Sequence, residues 1–195
     1  IFLCKNYPID TKLFKPRNKK YLRKKYNLPF DKKIVFFSAQ DFSDHRKGYK
    51  YFLEIVQKLK NNKEIFFLSL GKKDNYIENS NNLKQIDFLP HNMISDLYSL
   101  SDIFLCTSLI DNLPLTVLEA LSSGNVVLSF KNGGANEILK NIGYSYNLGD
   151  VDNIIKTLKK LNRKKIEKKS KVSRDYALKN LSANKIRDQY IDIFN

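Results

Sequence analysis

A doubly wound α/β domain, with a parallel sheet covered by helices on both faces and further helices at its C-terminal end, is the architecture this sequence predicts. Three observations lead there. Short apolar runs rich in β-forming residues recur as far as residue 148. Segments whose apolar residues fall at helical spacing separate them. The runs are apolar on both faces, which suits parallel strands buried between two helix layers.

The predicted strands are IVFFSAQ (34–40), EIFFLSL (64–70), LKQIDFL (83–89), DIFLCTS (102–108), NVVLSF (125–130) and a weaker GYSYNL (143–148). Between the first two, Phe52, Ile55, Val56 and Leu59 fall at i, i+3, i+4 and i+7, one apolar face of a helix. MISDLYSL (93–100), PLTVLEALSS (114–123) and GANEILKN (134–141) supply shorter helices, and Gly124 is placed to end the second of these in a left-handed conformation. From Asp150 the strands stop and the chain reads as charged helix, with Tyr176, Ala177, Leu181, Ile186, Tyr190, Ile191 and Phe194 as its apolar positions. The expected organisation is an entering linker and strand (1–16), a sheet domain (17–149) and a helical extension (150–195).

At 195 residues and 42% hydrophobic content the chain can bury a core, so it is not a disordered protein. It opens on Ile1 in an apolar run, which reads as part of a longer protein. Cys4 and Cys106 sit in apolar runs without a CxxC partner or a histidine cluster, so free buried thiols in a reducing compartment are expected and no metal site is. No apolar run approaches the roughly 20 residues that cross a bilayer. A soluble, cytoplasmic domain is expected. The charge of +15 concentrates in KLFKPRNKKYLRKKY (12–26) and KTLKKLNRKKIEKKSK (156–171). Part of it is general lysine richness; the clustering points to an anionic partner.

Ligands of open α/β sheets bind beyond the carboxyl ends of the strands. The segments QDFSDHRKG, GKKDN, LPHN and SLIDNLPLTVLEALSSG, which follow the first four runs, are therefore expected to converge. In the last, Asp111 stands eight residues before Glu119 with Pro114 between them. An isolated pair of this kind also fits a helix cap and a solvated carboxylate. If Pro114 occupies the first helical turn, however, the amides of Leu115, Thr116 and Val117 lack partners within the helix and form an anion site. Glu119 then lies about 7 to 8 Å further along the axis. A ligand with hydroxyls at both ends and a diphosphate between them matches that order, as a nucleotide sugar does. Carboxylates bind vicinal hydroxyls strongly. Asp111 at the sugar end can stabilise positive charge developing at an anomeric carbon, and Lys47 can neutralise a departing phosphate. Gly133 and Gly134 permit a tight turn before Glu137. His45 and His91 fall in predicted loops without a spaced carboxylate, which argues against a catalytic dyad for either.

These residues in this order resemble the donor-site segment of retaining glycosyltransferases of the GT4 group, which have the two-domain GT-B fold. DNLPLTVLEALSSGNVVLSFKNGGANEI is similar to the family's spaced acids, small-residue helix end, buried strand and GG-x-x-E turn. The similarity continues through DFLPHNMISDLYSLSDIFLCTS, the RKG stretch, KNYPIDTKLFKP and the closing ALKNLSANKIRDQYIDIF. It implies a Rossmann-like second domain that binds a nucleotide-diphosphate sugar, with the acceptor-binding N-terminal domain outside this sequence. By position, the resemblance gives Glu119 to the ribose hydroxyls and Asp111 to the donor sugar. It gives Asn112, Leu113, Pro114 and Leu115 to the phosphates and sugar, Lys47 to the diphosphate, and Leu89 and Pro90 to the base. Two departures stand out: the first acid is an aspartate, and SAQDF lacks a frequent family arginine, so phosphate neutralisation falls to Lys47 and Arg46.

The resemblance implies transfer of a hexose, with retention, to a glycan or lipid-linked acceptor, without a metal or other cofactor and not by this segment alone. The basic helices suit the inner face of an anionic membrane, where each lysine contributes about 1 kcal/mol of attraction. Two other readings compete. A nucleotide-sugar epimerase half needs further acid and base residues that the sequence does not offer. A basic module for nucleic acid predicts steeply salt-dependent binding, yet no aromatic-rich RNA-binding motif is present, and no nucleic-acid partner is expected.

Overall fold

The computed structural model describes residues 7–72, 81–112 and 114–194. Cys4, Leu113 and the end of the GKKDN stretch lie outside the described residues. Six strands, β1 (Lys33–Asp41), β2 (Ile65–Lys72), β3 (Leu83–Ile86), β4 (Ile103–Cys106), β5 (Val126–Phe130) and β6 (Tyr144–Tyr146), form one sheet in the order β3-β2-β1-β4-β5-β6. Every pairing is parallel. All six coincide with the predicted runs, and the architecture is the doubly wound, Rossmann-like α/β fold.

The helices are α1 (Lys19–Lys25), α2 (Tyr49–Lys58), α3 (His91–Leu100), α4 (Leu115–Ser122), α5 (Gly133–Leu139), α6 (Val151–Lys160), α7 (Arg163–Asn180) and α8 (Ala183–Phe194). Alternate residues of each central strand point into opposite cores. Ile34, Phe36, Phe104 and Val127 pack with Leu97 and Tyr98 of α3 and Leu118 and Leu121 of α4. Val35, Phe37, Ile103 and Leu105 pack with Phe52, Ile55 and Val56 of α2 and Ile154 and Leu158 of α6. The stripe expected on α2 is buried, from Phe52 through Leu59. Gly124, at φ +76°, ends α4: its amide donates to the Leu121 carbonyl (3.0 Å) and that of Asn125 to Ala120 (2.9 Å).

Much of the first basic cluster has a structural use. Asp102, 2% exposed at the start of β4, accepts from Lys19 (2.7 Å), Arg23 (2.7 Å) and the Ile34 amide (2.9 Å). Burial pushes its carboxyl up, but the charges of Lys19 and Arg23 outweigh this and hold it below the usual range. Asp96 gathers Arg17, Lys25 and the Tyr26 hydroxyl. Four of the cations read as attraction for an outside anion therefore neutralise two inside ones. Arg174 of α7 donates to the carbonyls of Thr11, Phe14 and Ser122, tying the entering linker to the body.

Candidate active site

The sheet order reverses between β1 and β4, which pair directly. Chains leaving these two strands turn to opposite sides and open a crevice at their carboxyl ends, where such folds bind ligands. The β1–α2 and β4–α4 connections are locked together there. Leu109 N–H donates to the Arg46 carbonyl (2.7 Å), and Thr107 Oγ1 donates to the carbonyls of Gly48 (2.9 Å) and Lys47 (3.3 Å). Gly48, at φ +66°, lies so close to β4 that a Cβ would stand 1.9 Å from the Thr107 carbonyl oxygen. Only glycine fits this contact.

The result is to set Lys47 against Asp111, Nζ to Oδ2 2.9 Å, with side chains 36% and 16% exposed. With Tyr7, Arg46, Ile110 and Asn112 they line a cavity of about 370 Å³. Arg46 points its guanidinium at Asp44 (2.9 and 3.0 Å) and is 70% exposed, so an incoming phosphate has to compete for it. Lys72, from the GKKDN stretch, joins Gln40, Asp41, Asp44, Arg46 and Lys47 around the adjoining cavity.

Gly133 and Gly134 do more than turn the chain. Gly134 N–H donates to the Asn112 carbonyl (2.7 Å), and a Cβ on Gly133, at φ +36°, would stand 2.3 Å from the Asp111 carbonyl oxygen. Buried Asn132 donates through Nδ2 to the Ser108 carbonyl. The β5–α5 turn thus braces the loop that carries Asp111.

One expectation about α4 is corrected. Pro114 is the extended residue before the helix, not part of its first turn, and its carbonyl accepts from Val117 N–H at 2.9 Å. A proline at φ −69° and ψ 110° leads into the helix rather than beginning it, so Val117 turns back onto the cap. The Leu115 and Thr116 amides remain ahead of the intrahelical ladder, at the positive end of the α4 dipole.

Glu119 lies in the middle of α4 and is partly buried. Burial pushes its carboxyl above the usual range, while the nearby Tyr98 hydroxyl and the charge of His91 pull it back down. His91 is the first residue of α3 rather than part of a loop; its ring meets Phe14 edge-on at 5.6 Å. His45 opens a short 3-10 turn (His45–Lys47) capped by Asp44. Leu89 packs against the α3–α4 core, and exposed Pro90 immediately precedes α3. The structure therefore unites Lys47, Asp111 and Asn112 at one mouth and places Glu119, His91 and the Leu89–Pro90 turn along α3 and α4. Gly48, Thr107, Asn132 and Tyr98 escaped the sequence reading; a lone glycine directly before an amphipathic helix was the available signal for the first. Cys106 is buried and free, and burial pushes its thiol up. Among the described residues no cluster of three metal-ligating side chains occurs, and no helix is long and apolar enough to cross a membrane.

Residues 18–179 match the family described as glycosyl transferases group 1. The chain belongs to that family. No curated protein matches it. Among solved structures, it is similar to sucrose-phosphate synthase from Thermosynechococcus elongatus (TM-score 0.81, 17% identity), covering 96% of this chain and 50% of that one. The C-terminal domain of the group 1 family protein LpcC from Francisella tularensis matches at TM-score 0.76 and 21% identity, covering 90% of this chain and 99% of that one. Anabaena HepE, solved in complex with UDP-glucose, matches at TM-score 0.80 and 15% identity, covering 96% and 55%. The chain thus spans about half the length of the first and third of these relatives. At such identities the likeness concerns the fold: this family member has the Rossmann-like fold of the C-terminal domains of GT-B glycosyltransferases.

Proposed function

We propose that this glycosyltransferase domain binds a nucleotide-diphosphate sugar and supplies the donor half of a GT4-type, retaining hexose transfer to a glycan or lipid-linked acceptor. The observation that carries the reading is the Lys47–Asp111 pair at the sheet's reversal point, in the loop that leads into α4, with partly buried Glu119 further along that helix. In this reading Glu119 accepts from the ribose hydroxyls and Leu89 and Pro90 flank the base. The amides of Leu115 and Thr116, with Lys47 and Arg46, meet the diphosphate, and Asn112, Leu113 and Pro114 complete the loop around the phosphates and sugar. The positive charge facing the diphosphate comes from the protein itself.

Chemistry follows from charge that grows in the transition state. As the bond from the anomeric carbon to the β-phosphate oxygen breaks, negative charge builds on the phosphate and positive charge on the sugar. Lys47 stabilises the first and Asp111 the second, and both interactions strengthen along the reaction, which is what lowers a barrier. Their mutual pairing keeps each charge oriented before the donor arrives. HepE binding UDP-glucose on the same fold supports a nucleotide sugar as the ligand class.

The acceptor side belongs to an N-terminal domain of the whole protein. Exposed Lys164, Lys165, Lys168 and Lys171 on α7 support peripheral contact with the inner face of an anionic membrane. Assay of the intact protein with UDP-, GDP- and ADP-sugars tests the reading. Turnover lost in Asp111→Asn, with product of unchanged anomeric configuration from wild type, supports it; turnover indifferent to that substitution refutes the assignment.

A further inference from the structure

The second lysine-rich stretch begins on a part of the fold away from the donor crevice. Val151, Ile154, Ile155 and Leu158 bury one side of α6, which leaves Asn153, Lys156, Thr157 and Lys160, at i, i+3, i+4 and i+7, as a polar face. With Lys131 after β5 and Asn147 after edge strand β6, that face lines an open cavity of about 380 Å³. None of these residues lines the two cavities beside Lys47. Four cations of the first basic cluster are neutralised by Asp96 and Asp102, but here no such partner is found. Among the described residues no carboxylate pairs with Lys131, Lys156 or Lys160. Asp150, the one carboxylate among the described lining residues, caps α6 by accepting from the Asn153 N–H (3.3 Å) and Nδ2 (2.9 Å). Asp152 is drawn off to Lys58 (2.9 Å). Neutral amides hold two of the ammonium groups instead: Lys131 Nζ donates to Asn147 Oδ1 (3.2 Å) and Lys156 Nζ to Asn153 Oδ1 (3.4 Å). Lys156 and Lys160 stand four residues apart on the helix, where like charges repel. The wall thus carries three positive charges, two of them positioned without being cancelled.

We propose that this cavity is a second anion site, which takes a phosphate-bearing ligand and is separate from the nucleotide-sugar crevice. Each ammonium group offers three donors on a compact point charge, which suits phosphate. A terminal phosphate offers three acceptor oxygens and close to two negative charges. Lys131 approaches it from the sheet and Lys156 and Lys160 from α6, so a bound phosphate meets cations from two elements, and its charge offsets their mutual repulsion. A soluble phosphate compound and the headgroup of an anionic phospholipid share this chemistry.

The test is lysine acetylation of the intact protein, read residue by residue by mass spectrometry, with and without inorganic pyrophosphate. Pyrophosphate should protect Lys131, Lys156 and Lys160 and leave exposed Lys60 and Lys63 as reactive as before. In Lys131→Ala the concentration that half-protects Lys160 should rise about ten-fold, the low end for a bond between charged groups. Lys47→Met should not change it. Vesicles of phosphatidylcholine with and without phosphatidylglycerol separate the two sources. Protection by pyrophosphate alone identifies a soluble ligand, and protection by pyrophosphate and by the phosphatidylglycerol vesicles identifies a headgroup. Protection by vesicles without protection by pyrophosphate overturns the proposal, because the lysines then meet a charged surface rather than a phosphate. Equal protection of Lys60 and Lys63, or none of the three cavity lysines, overturns it as well. Protection that disappears in Lys47→Met places the anion in the donor crevice and overturns the second site while leaving the donor reading intact.

Discussion

Replacing Lys47 by methionine keeps the aliphatic stem and removes the ammonium group. The 2.9 Å pair it makes with Asp111 has 36% and 16% exposed side chains. Partly exposed pairs of this kind contribute about 0.2–1 kcal/mol to stability. The folded state should therefore hardly notice the substitution, and a urea midpoint should move only slightly. Catalysis should notice it strongly. A charge-assisted contact to the leaving phosphate contributes about 1.5–3 kcal/mol. Lost from the transition state, that amounts to about 10- to 150-fold in kcat/KM, at 1.36 kcal/mol per decade. Because the contact strengthens as the phosphate departs, the loss should appear in kcat more than in KM. Steady-state kinetics of the intact protein alongside urea melts separate the two effects. An unchanged kcat/KM refutes the role of Lys47, and a loss of more than about 2 kcal/mol in stability refutes the reading of the pair as a lightly coupled surface interaction.

Gly48→Ala should destabilise by at least about 2 kcal/mol, since it adds left-handed strain to a clash with the Thr107 carbonyl oxygen at 1.9 Å; a urea midpoint within error of wild type would contradict this. Glu119→Gln should raise the melting temperature at neutral pH. The folded-state pKa of Glu119 is raised, so its favourable contribution is complete below the unfolded value of about 4.3 and is lost as pH rises through the folded value. The gain should fade in melts below about pH 4. Asp102 behaves oppositely: its pKa is lowered, so its contribution is present above the unfolded value of about 3.9 and disappears as pH falls through the folded one. Arg23→Met leaves this buried carboxylate short of a partner and should cost about 3–5 kcal/mol, with nucleotide affinity intact at temperatures where the variant is folded.

The sheet was legible because its four central strands are buried on both faces: IVFF, IFFL, IFLC and VVLSF cannot be read as half-exposed segments. The α2 stripe and the Gly124 helix end were local signals of the same kind. The first lysine cluster was legible only in part, because partners that neutralise four of its cations come from far along the chain. Lys19 and Arg23 meet Asp102, and Arg17 and Lys25 meet Asp96, pairings that no local pattern encodes. Pro114 looked like a first-turn proline because that position suits proline in general; its ψ of 110° placed it one residue outside. At the site, Asp111, Glu119 and Lys47 were visible as residues, but their mutual placement depended on contacts of Gly48 and Gly133 with distant backbone.

Ligand-observed NMR of the intact protein with UDP, GDP and ADP and their sugars, repeated on Glu119→Ala, tests the donor site most directly. The account predicts selective binding of one nucleotide and its sugar by wild type and loss of that binding in the variant. Wild-type protein that binds none of them, or a variant that binds as wild type does, would contradict it.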